Sequence, residues 1–380
     1  MDSPKNIRTQ AYVVQSKGAP FELKDVILDE VQPNEVLVEM KHTGICHTDI
    51  VVQNGGMPIG DYPAVLGHEG MGIVRWIGST VCDKSLTLGD TVCLSFHSCG
   101  QCAACRDDQC GSCPDMTEIN FLNTARRGTG ASTPISLPDG TPVHGQFFGQ
   151  SSLSRMAVVT EASIVKLDAR PEEIPFLAPL GCGYLTGSGT VLNVLKPRPD
   201  DTIVVLGLGA VGFAALMAAK ALGLKSIVAV DLLGAKLEIA SALGATHIIN
   251  TSIQSDLGAE LQKILPTGAK SIIDTTGSVA LLEICVKSLA HAGTLALVGV
   301  PSPQATLNIN ALDLLLSCKR IVGVIEGWSN AKLLVPQLLQ LSREGKFPID
   351  RLAKVYPAEK LCEAIEDLKL GVVVKPILSW

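Results

Sequence analysis

Residues 202–212 read TIVVLGLGAVG, a short β-branched run entering a turn with glycines at 207, 209 and 212. The next stretch, FAALMAAKALG (213–223), is Ala-rich and apolar and ends on a glycine, as a buried helix with a glycine cap does. KSIVAVD (225–231) then reads as a second strand, AKLEIASALG (235–244) as a second helix and THIIN (246–250) as a third strand. Apolar runs SIIDTTG (271–277), TLALVGVP (294–301) and RIVGVIEG (320–327) continue the alternation. Strands separated by helices of this length predict an α/β fold with a doubly wound parallel sheet, the Rossmann arrangement. That fold by itself settles no function.

The turn says more. Gly207-Leu208-Gly209-Ala210-Val211-Gly212 matches G-x-G-x-x-G, a weak signal alone. Here it sits between a strand and a helix, and Asp231 closes the second strand 19 residues beyond Gly212. Those are the surroundings that a dinucleotide fingerprint requires. Gly207 permits the tight turn, Gly209 lets backbone approach a pyrophosphate, and Gly212 lets helix and strand pack closely. The helix start offers the phosphates its free N–H groups. Asp231 suits both hydroxyls of an adenosine ribose and repels a 2′-phosphate, so NAD is expected over NADP. Lys236, one turn on, either hydrogen-bonds the same ribose, softening that discrimination, or is simply solvated. A Rossmann domain for another nucleotide is the alternative.

At 380 residues the chain exceeds one ordinary core, so two domains are expected. Hydrophobic residues at 47% and charged residues at 18% describe a globular protein. A net charge of −6, with no basic run, argues against a nucleic-acid partner. The opening MDSPKNIRTQ lacks the apolar stretch of a secretory signal, and no run is apolar enough to span a membrane. A reducing cytoplasm is the expected location. Five of the twelve cysteines lie in SCGQCAACRDDQCGSC (98–113). Cys99, Cys102, Cys105 and Cys113 there have the spacing of a structural zinc cage rather than of disulfides in a reducing compartment. Disulfides or scattered free thiols are the alternatives, and Cys110 is a spare that could replace Cys113.

The first 180 residues read as irregular β structure, with runs such as EVLVEM (35–40) and GIVRWIG (72–78). The tail from about 328 returns to short mixed elements ending in VVVKPIL (372–378). Three further candidate ligands are far apart in sequence: Cys46 in GICHTD, His68 in LGHEG and Cys182 in PLGCGYLTG. Singly, each has an ordinary reading as a buried thiol or a turn histidine.

Together, GICHTD, VLGHEGMGIV, the four-cysteine loop, PLGCGYLTGSGTVLN and GLGAVG stand in the order of the zinc-dependent medium-chain alcohol dehydrogenases, which the chain resembles over nearly its whole length. CHTDIVVQNG, FFGQSSLS, VLNVLKP, GKFPID and the ending KPIL resemble the aryl (benzyl) alcohol dehydrogenase branch. The resemblance implies a GroES-like β-rich catalytic domain in residues 1–182, a Rossmann domain in 183–325 and a return to the catalytic domain in 326–380. It implies two Zn²⁺ per chain and NAD. Cys46, His68 and Cys182 resemble the catalytic zinc ligands. Glu69 resembles a carboxylate near that metal, Asp49 the group orienting the histidine, and Thr48 the hydroxyl that takes the alcohol's proton. His47 and Lys375 stand where basic residues meet the pyrophosphate. Thr186 resembles the residue beside the nicotinamide, with Val211 as its apolar backing.

Ser95, Phe96, Phe147 and Phe148 resemble substrate-wall positions, with Leu185, Val300 and Ile325 as looser candidates on the cofactor side. Val51 stands where some members carry a relay histidine, so proton exit is expected through ribose, water or His47. The implied activity is hydride transfer between NAD(H) and a primary alcohol or aldehyde, aromatic or allylic. A biosynthetic carbonyl or enone reductase is the rival within enzymes, and a nonenzymatic zinc and nucleotide scaffold the remote one. The resemblance also implies a homodimer or homotetramer joined through the Rossmann sheets, with TLALVGVP as the edge.

Overall fold

The computed structural model of the chain describes residues 3–380 apart from 58, 60, 123–125, 127–132 and 255. The chain divides into two compact units, Met1–Cys182 with Asn330–Leu339 and Ile349–Trp380, and Gly183–Ser329 with Gln340–Pro348.

The first unit is β-rich, with two sheets. One has five strands, in the order Ala64–Val65, Ile7–Val14, Phe21–Leu28, Ile135–Ser136 and Pro142–Val143. The other runs Ile164–Lys166, Thr91–Leu94, Gly70–Ile77, Glu35–Gly44, Lys375–Ser379 and Ala353–Pro357, with Met156–Thr160 also paired to Glu35–Gly44. Val36, Val38 and Met40 pack with Val74, Val92 and Leu94 into its core.

Glu35–Gly44 organises this unit because it pairs with three strands. Thr43 faces Gly70 and Gly44 faces Ile377, both antiparallel. The chain leaving this strand at Ile45 therefore lies beside residues entering the strand Gly70–Ile77 and beside the start of Lys375–Ser379. Gly44 N–H donates to the Glu69 carbonyl (2.9 Å) and Ile45 N–H to that of Pro376 (3.0 Å).

The second unit holds a parallel six-stranded sheet. Its order is His247–Asn250, Ser226–Asp231, Thr202–Leu206, Ala269–Asp274, Leu289–Leu297 and Arg320–Gly323. In order of sequence that is 3-2-1-4-5-6, two mononucleotide-type halves meeting where the strand order reverses. Val204, Leu206, Val228, Ile272 and Leu295 fill the core with Leu261, Leu282 and Val286. Burial on both faces explains why the central strands Thr202–Leu206, Ser226–Asp231 and Ala269–Asp274 read as apolar runs without alternation.

Two expectations need correction. TLALVGVP is not the sheet edge: Leu295 pairs with Ile321, and Arg320–Gly323 lies outside it. The RIVG run is a strand in its own right and takes the terminal place. The tail also carries more helix than its mixed pattern suggested, Ala331–Arg343 and Leu361–Lys369. Pro336 inside the first of these disguises its period.

Candidate metal centre and dinucleotide crevice

Cys46 caps the helix His47–Gln53, which begins as the chain turns off Glu35–Gly44. His68 and Glu69 immediately precede Gly70–Ile77, so strand pairing sets them beside Gly44 and Ile45. Cys182 arrives from elsewhere. Gly181 packs so closely on Thr91–Leu94 that a Cβ there would lie 1.9 Å from the Leu94 carbonyl oxygen. Ser95 Oγ donates to the Gly181 carbonyl (2.6 Å) and fixes the approach. Only glycine permits it. Ligand atoms of Cys46, His68, Glu69 and Cys182 thereby lie within 4.8 Å of one another.

Asp49 sets the geometry of this group. Its Oδ1 accepts from Gly67 N–H (3.0 Å) and lies 3.0 Å from His68 Nδ1, while Oδ2 accepts from Cys46 N–H (3.2 Å). Gln150 adds a second brace: its Nε2 donates to the carbonyls of His68 (3.0 Å) and Ser95 (2.9 Å), and its Oε1 accepts from Gly70 N–H (3.0 Å). Phe148 stacks on the His68 ring at 4.7 Å and Phe147 meets it edge-on at 5.7 Å. Phe121 joins both phenylalanines, at 5.6 and 5.0 Å.

The electrostatics suit a cation. Hydrogen bonding to Cys182 holds the Cys46 thiol well below its usual range despite burial, helped by the charges of His68 and Lys375. Burial alone would lower the His68 pKa, but the Asp49 and Cys46 charges outweigh it and raise it. His68 Nε2 is buried, makes no hydrogen bond of ordinary geometry, and has the Cys46 sulfur beside it. Two sulfurs, an imidazole nitrogen with a carboxylate behind it, and close mutual spacing form a donor set that fits Zn²⁺. Tetrahedral zinc places such ligands about 3.5–4 Å apart.

Lys375 is 2% exposed. Its Nζ donates to Glu69 Oε1 (2.8 Å) and to the Ile45 carbonyl (3.1 Å). The nearby Glu69 charge keeps the ammonium protonated against the opposing effect of burial. The exposed His47 opens the helix after Cys46, and Thr48 Oγ1 lies 3.7 Å from the Cys46 sulfur. Val51 is half-buried on the same helix.

Among the wall candidates, Ser95 is wholly buried and engaged with Gly181, so its hydroxyl serves the backbone. Phe96 lines a cavity of about 240 Å³ with Ser98, Gly100, Cys105 and Cys110. Phe147 and Phe148 are the two that surround His68.

The second sulfur group is Cys99, Cys102, Cys105 and Cys113, again within 4.8 Å of one another. Cys99 and Cys105 sulfurs are 4.0 Å apart, and Cys102 Sγ accepts from Cys105 N–H (3.4 Å) at the start of the short helix Ala103–Arg106. All twelve cysteines are free thiols. Cys110 stays outside the group, and burial pushes its thiol up to about 11.

In the second unit the glycine turn is a shaped cradle. Gly207 has φ +85°, and a Cβ on Gly212 would lie 1.9 Å from the Gly207 carbonyl oxygen. A Cβ on Gly209 would meet nothing within 4 Å, leaving open space where a phosphate would sit. Gly209 caps the helix Ala210–Ala221 with no side-chain hydrogen bond, so the first N–H groups of Ala210, Val211 and Gly212 are available to an anion. Asp231 Oδ2 accepts from Leu208 N–H (2.7 Å) and Oδ1 from Leu233 N–H (2.9 Å), which fixes the carboxylate at the end of its strand. Lys236 is half-buried on Gly234–Leu243, while Val300 and Ile325 are 52% and 54% exposed. Leu185 is buried, and Thr186 Oγ1 donates to Glu326 Oε2 (3.1 Å). These residues fit a dinucleotide.

Sequence reading missed Gln150 and Glu326. Gln150 lies in FFGQSSLS with no periodic or ligand-type signal, and Glu326 follows a strand that reads only as apolar.

Residues 32–169 match the alcohol dehydrogenase GroES-like domain, and residues 210–342 match the zinc-binding dehydrogenase family. A geraniol dehydrogenase of Castellaniella defragrans is 35% identical over the full length of both chains. The solved benzyl alcohol dehydrogenase of Acinetobacter calcoaceticus is 38% identical, with TM-score 0.90 over 98% of this chain and 99% of that one. An alcohol dehydrogenase zinc-binding domain protein of Burkholderia ambifaria is 37% identical, with TM-score 0.92 over the same shares. The chain belongs to the zinc-dependent medium-chain alcohol dehydrogenase family. It is an alcohol oxidoreductase that works with zinc and a nicotinamide cofactor.

Proposed function

We propose that the protein interconverts aromatic or allylic primary alcohols and their aldehydes with NAD(H). The convergence of Cys46, His68 and Cys182, with Asp49 behind His68, carries this reading. When bound, zinc supplies Lewis acidity toward the alcohol oxygen and the nicotinamide supplies the hydride acceptor. Cys46, His68 and Cys182 hold the metal, and Asp49 keeps Nδ1 of His68 engaged so that Nε2 faces it. Lys375 retains the Glu69 carboxylate beside the ligands. Thr48 Oγ1 takes the alcohol's proton, and the exposed His47 next to it leads toward solvent. Gly207, Gly209 and Gly212 seat the pyrophosphate, and Asp231 receives the adenosine ribose.

The substrate class rests on the aromatic cluster of Phe147 and Phe148 at His68, with Phe121 packed behind them, and on similarity to relatives named for geraniol and benzyl alcohol. Flat, rigid π-systems pack on such rings without losing rotamer freedom. A panel of benzyl, cinnamyl and saturated primary alcohols tests it. We expect kcat/KM at least about tenfold higher for the unsaturated members, a difference of about 1.4 kcal/mol; equal values overturn the class. Asp49→Asn should lower kcat/KM by about 10–100-fold with NADH affinity unchanged, because the imidazole loses its anionic brace. Steady-state kinetics and NADH fluorescence check both halves of that expectation.

The edge strand Arg320–Gly323 and the helix Ala311–Leu316 support assembly as a homodimer or homotetramer. Leu312, Leu315 and Leu316 are 62%, 71% and 68% exposed, and that helix buries none of its own residues. No described helix is long and apolar enough to cross a membrane.

A further inference from the structure

Glu326 is a carboxylate 6% exposed at the carboxyl end of the last strand of the parallel sheet. Its backbone is left-handed at φ +48°, followed by Gly327 at +58° and Trp328 at +51°. Two non-glycine residues in this region within three positions store strain, which a surrounding structure must hold. The holding contacts come from the segment Gly183–Leu195. Thr186 Oγ1 donates to Glu326 Oε2 (3.1 Å). Asn193 Nδ2 donates to the Gly327 carbonyl (3.2 Å) and to Ser329 Oγ (3.1 Å). A Cβ on Gly327 would lie 2.6 Å from Gly189 Cα and 2.8 Å from the Thr186 carbonyl oxygen, so the two backbones touch. The segment itself changes from α to π winding at Thr190–Leu195, a local widening often found at functional sites.

Topology says which part of a ligand this latch meets. Dinucleotides bind outside the carboxyl ends of the strands, one half over each half of the sheet. The glycine turn and Asp231 belong to the first three strands and take the adenosine half. Glu326 follows the sixth strand, on the half left for the nicotinamide.

Resting on the proposed NAD(H) reading, we infer that Glu326 is a positioning residue whose carboxylate anchors Thr186, and with it the left-handed turn 326–328, as a preformed seat for the nicotinamide half of the cofactor. Its hydrogen bond fixes the Thr186 rotamer before the cofactor arrives, so the ligand need not order it.

The test compares NADH with ADP-ribose, which has the adenosine and pyrophosphate groups but no nicotinamide, by calorimetry on the zinc-loaded protein. Glu326→Ala and, separately, Thr186→Val should each raise the NADH Kd by about tenfold, the scale of one hydrogen bond. ADP-ribose affinity should stay unchanged. The double variant should lose no more than either single one, because both remove the same contact. Glu326→Gln, which keeps an acceptor oxygen for Thr186, should recover most of the affinity. If NADH and ADP-ribose weaken equally, or NADH binding does not change, the inference is overturned. Should Glu326→Ala fail to fold, Thr186→Val decides by the same comparison. Wild-type protein that binds neither ligand would instead defeat the NAD(H) reading itself.

Discussion

Replacing Cys46 by serine is expected to lower kcat/KM by about a thousandfold or more, because the Lewis acid contributes several kcal/mol to the reaction and its site loses a soft donor. The cause lies in the ligand set. Cys46 is the thiol that the Cys182 contact and the neighbouring charges favour in its ionised form, and a serine hydroxyl stays protonated there. Zinc content should fall by one equivalent per chain while NADH affinity is retained, since the glycine turn and Asp231 lie in the other compact unit. Metal analysis, alcohol kinetics and NADH titration on one preparation check all three. A variant that loses one zinc equivalent yet keeps near-normal turnover would remove the metal centre from the mechanism.

The double change Cys105→Ser with Cys110→Ser should act on stability instead. The loop around these cysteines holds only short elements, Ala103–Arg106, Cys110–Ser112 and Met116–Phe121. Helices that short do not persist without tertiary support. Four sulfurs on one metal would supply it, so its loss should cost about 3 kcal/mol or more and lower the melting temperature by about 10 °C. Cys110 is changed as well because its thiol contacts Cys105 and could take over as a ligand. Calorimetry with zinc analysis provides the check. An unchanged melting temperature despite the loss of one zinc equivalent would show that the loop stands without metal.

Much of the second unit was legible before any coordinates. A strand, a glycine turn, a helix and an acid closing the next strand follow one another locally, and each has its own chemical signature. The register of the sheet was not legible in the same way. TLALVGVP and RIVGVIEG are both apolar runs, and only pairing decides which is outermost. Pro336 likewise concealed a helix whose apolar face is set by packing.

Sequence alone determined the inventory: glycines where backbone turns left-handed or packs closely on another segment, four thiols at loop spacing, and single ligand-type residues in three distant motifs. These are matters of local stereochemistry and residue chemistry, which neighbouring positions specify. Tertiary structure alone decided that Lys375 meets Glu69 behind the metal ligands, that Gln150 ties the His68 and Ser95 carbonyls together, and that Glu326 holds Thr186. Each joins segments 55 to 306 residues apart. Such contacts form only when strand pairing and close glycine packing bring distant backbone together, and no local pattern encodes that partnership.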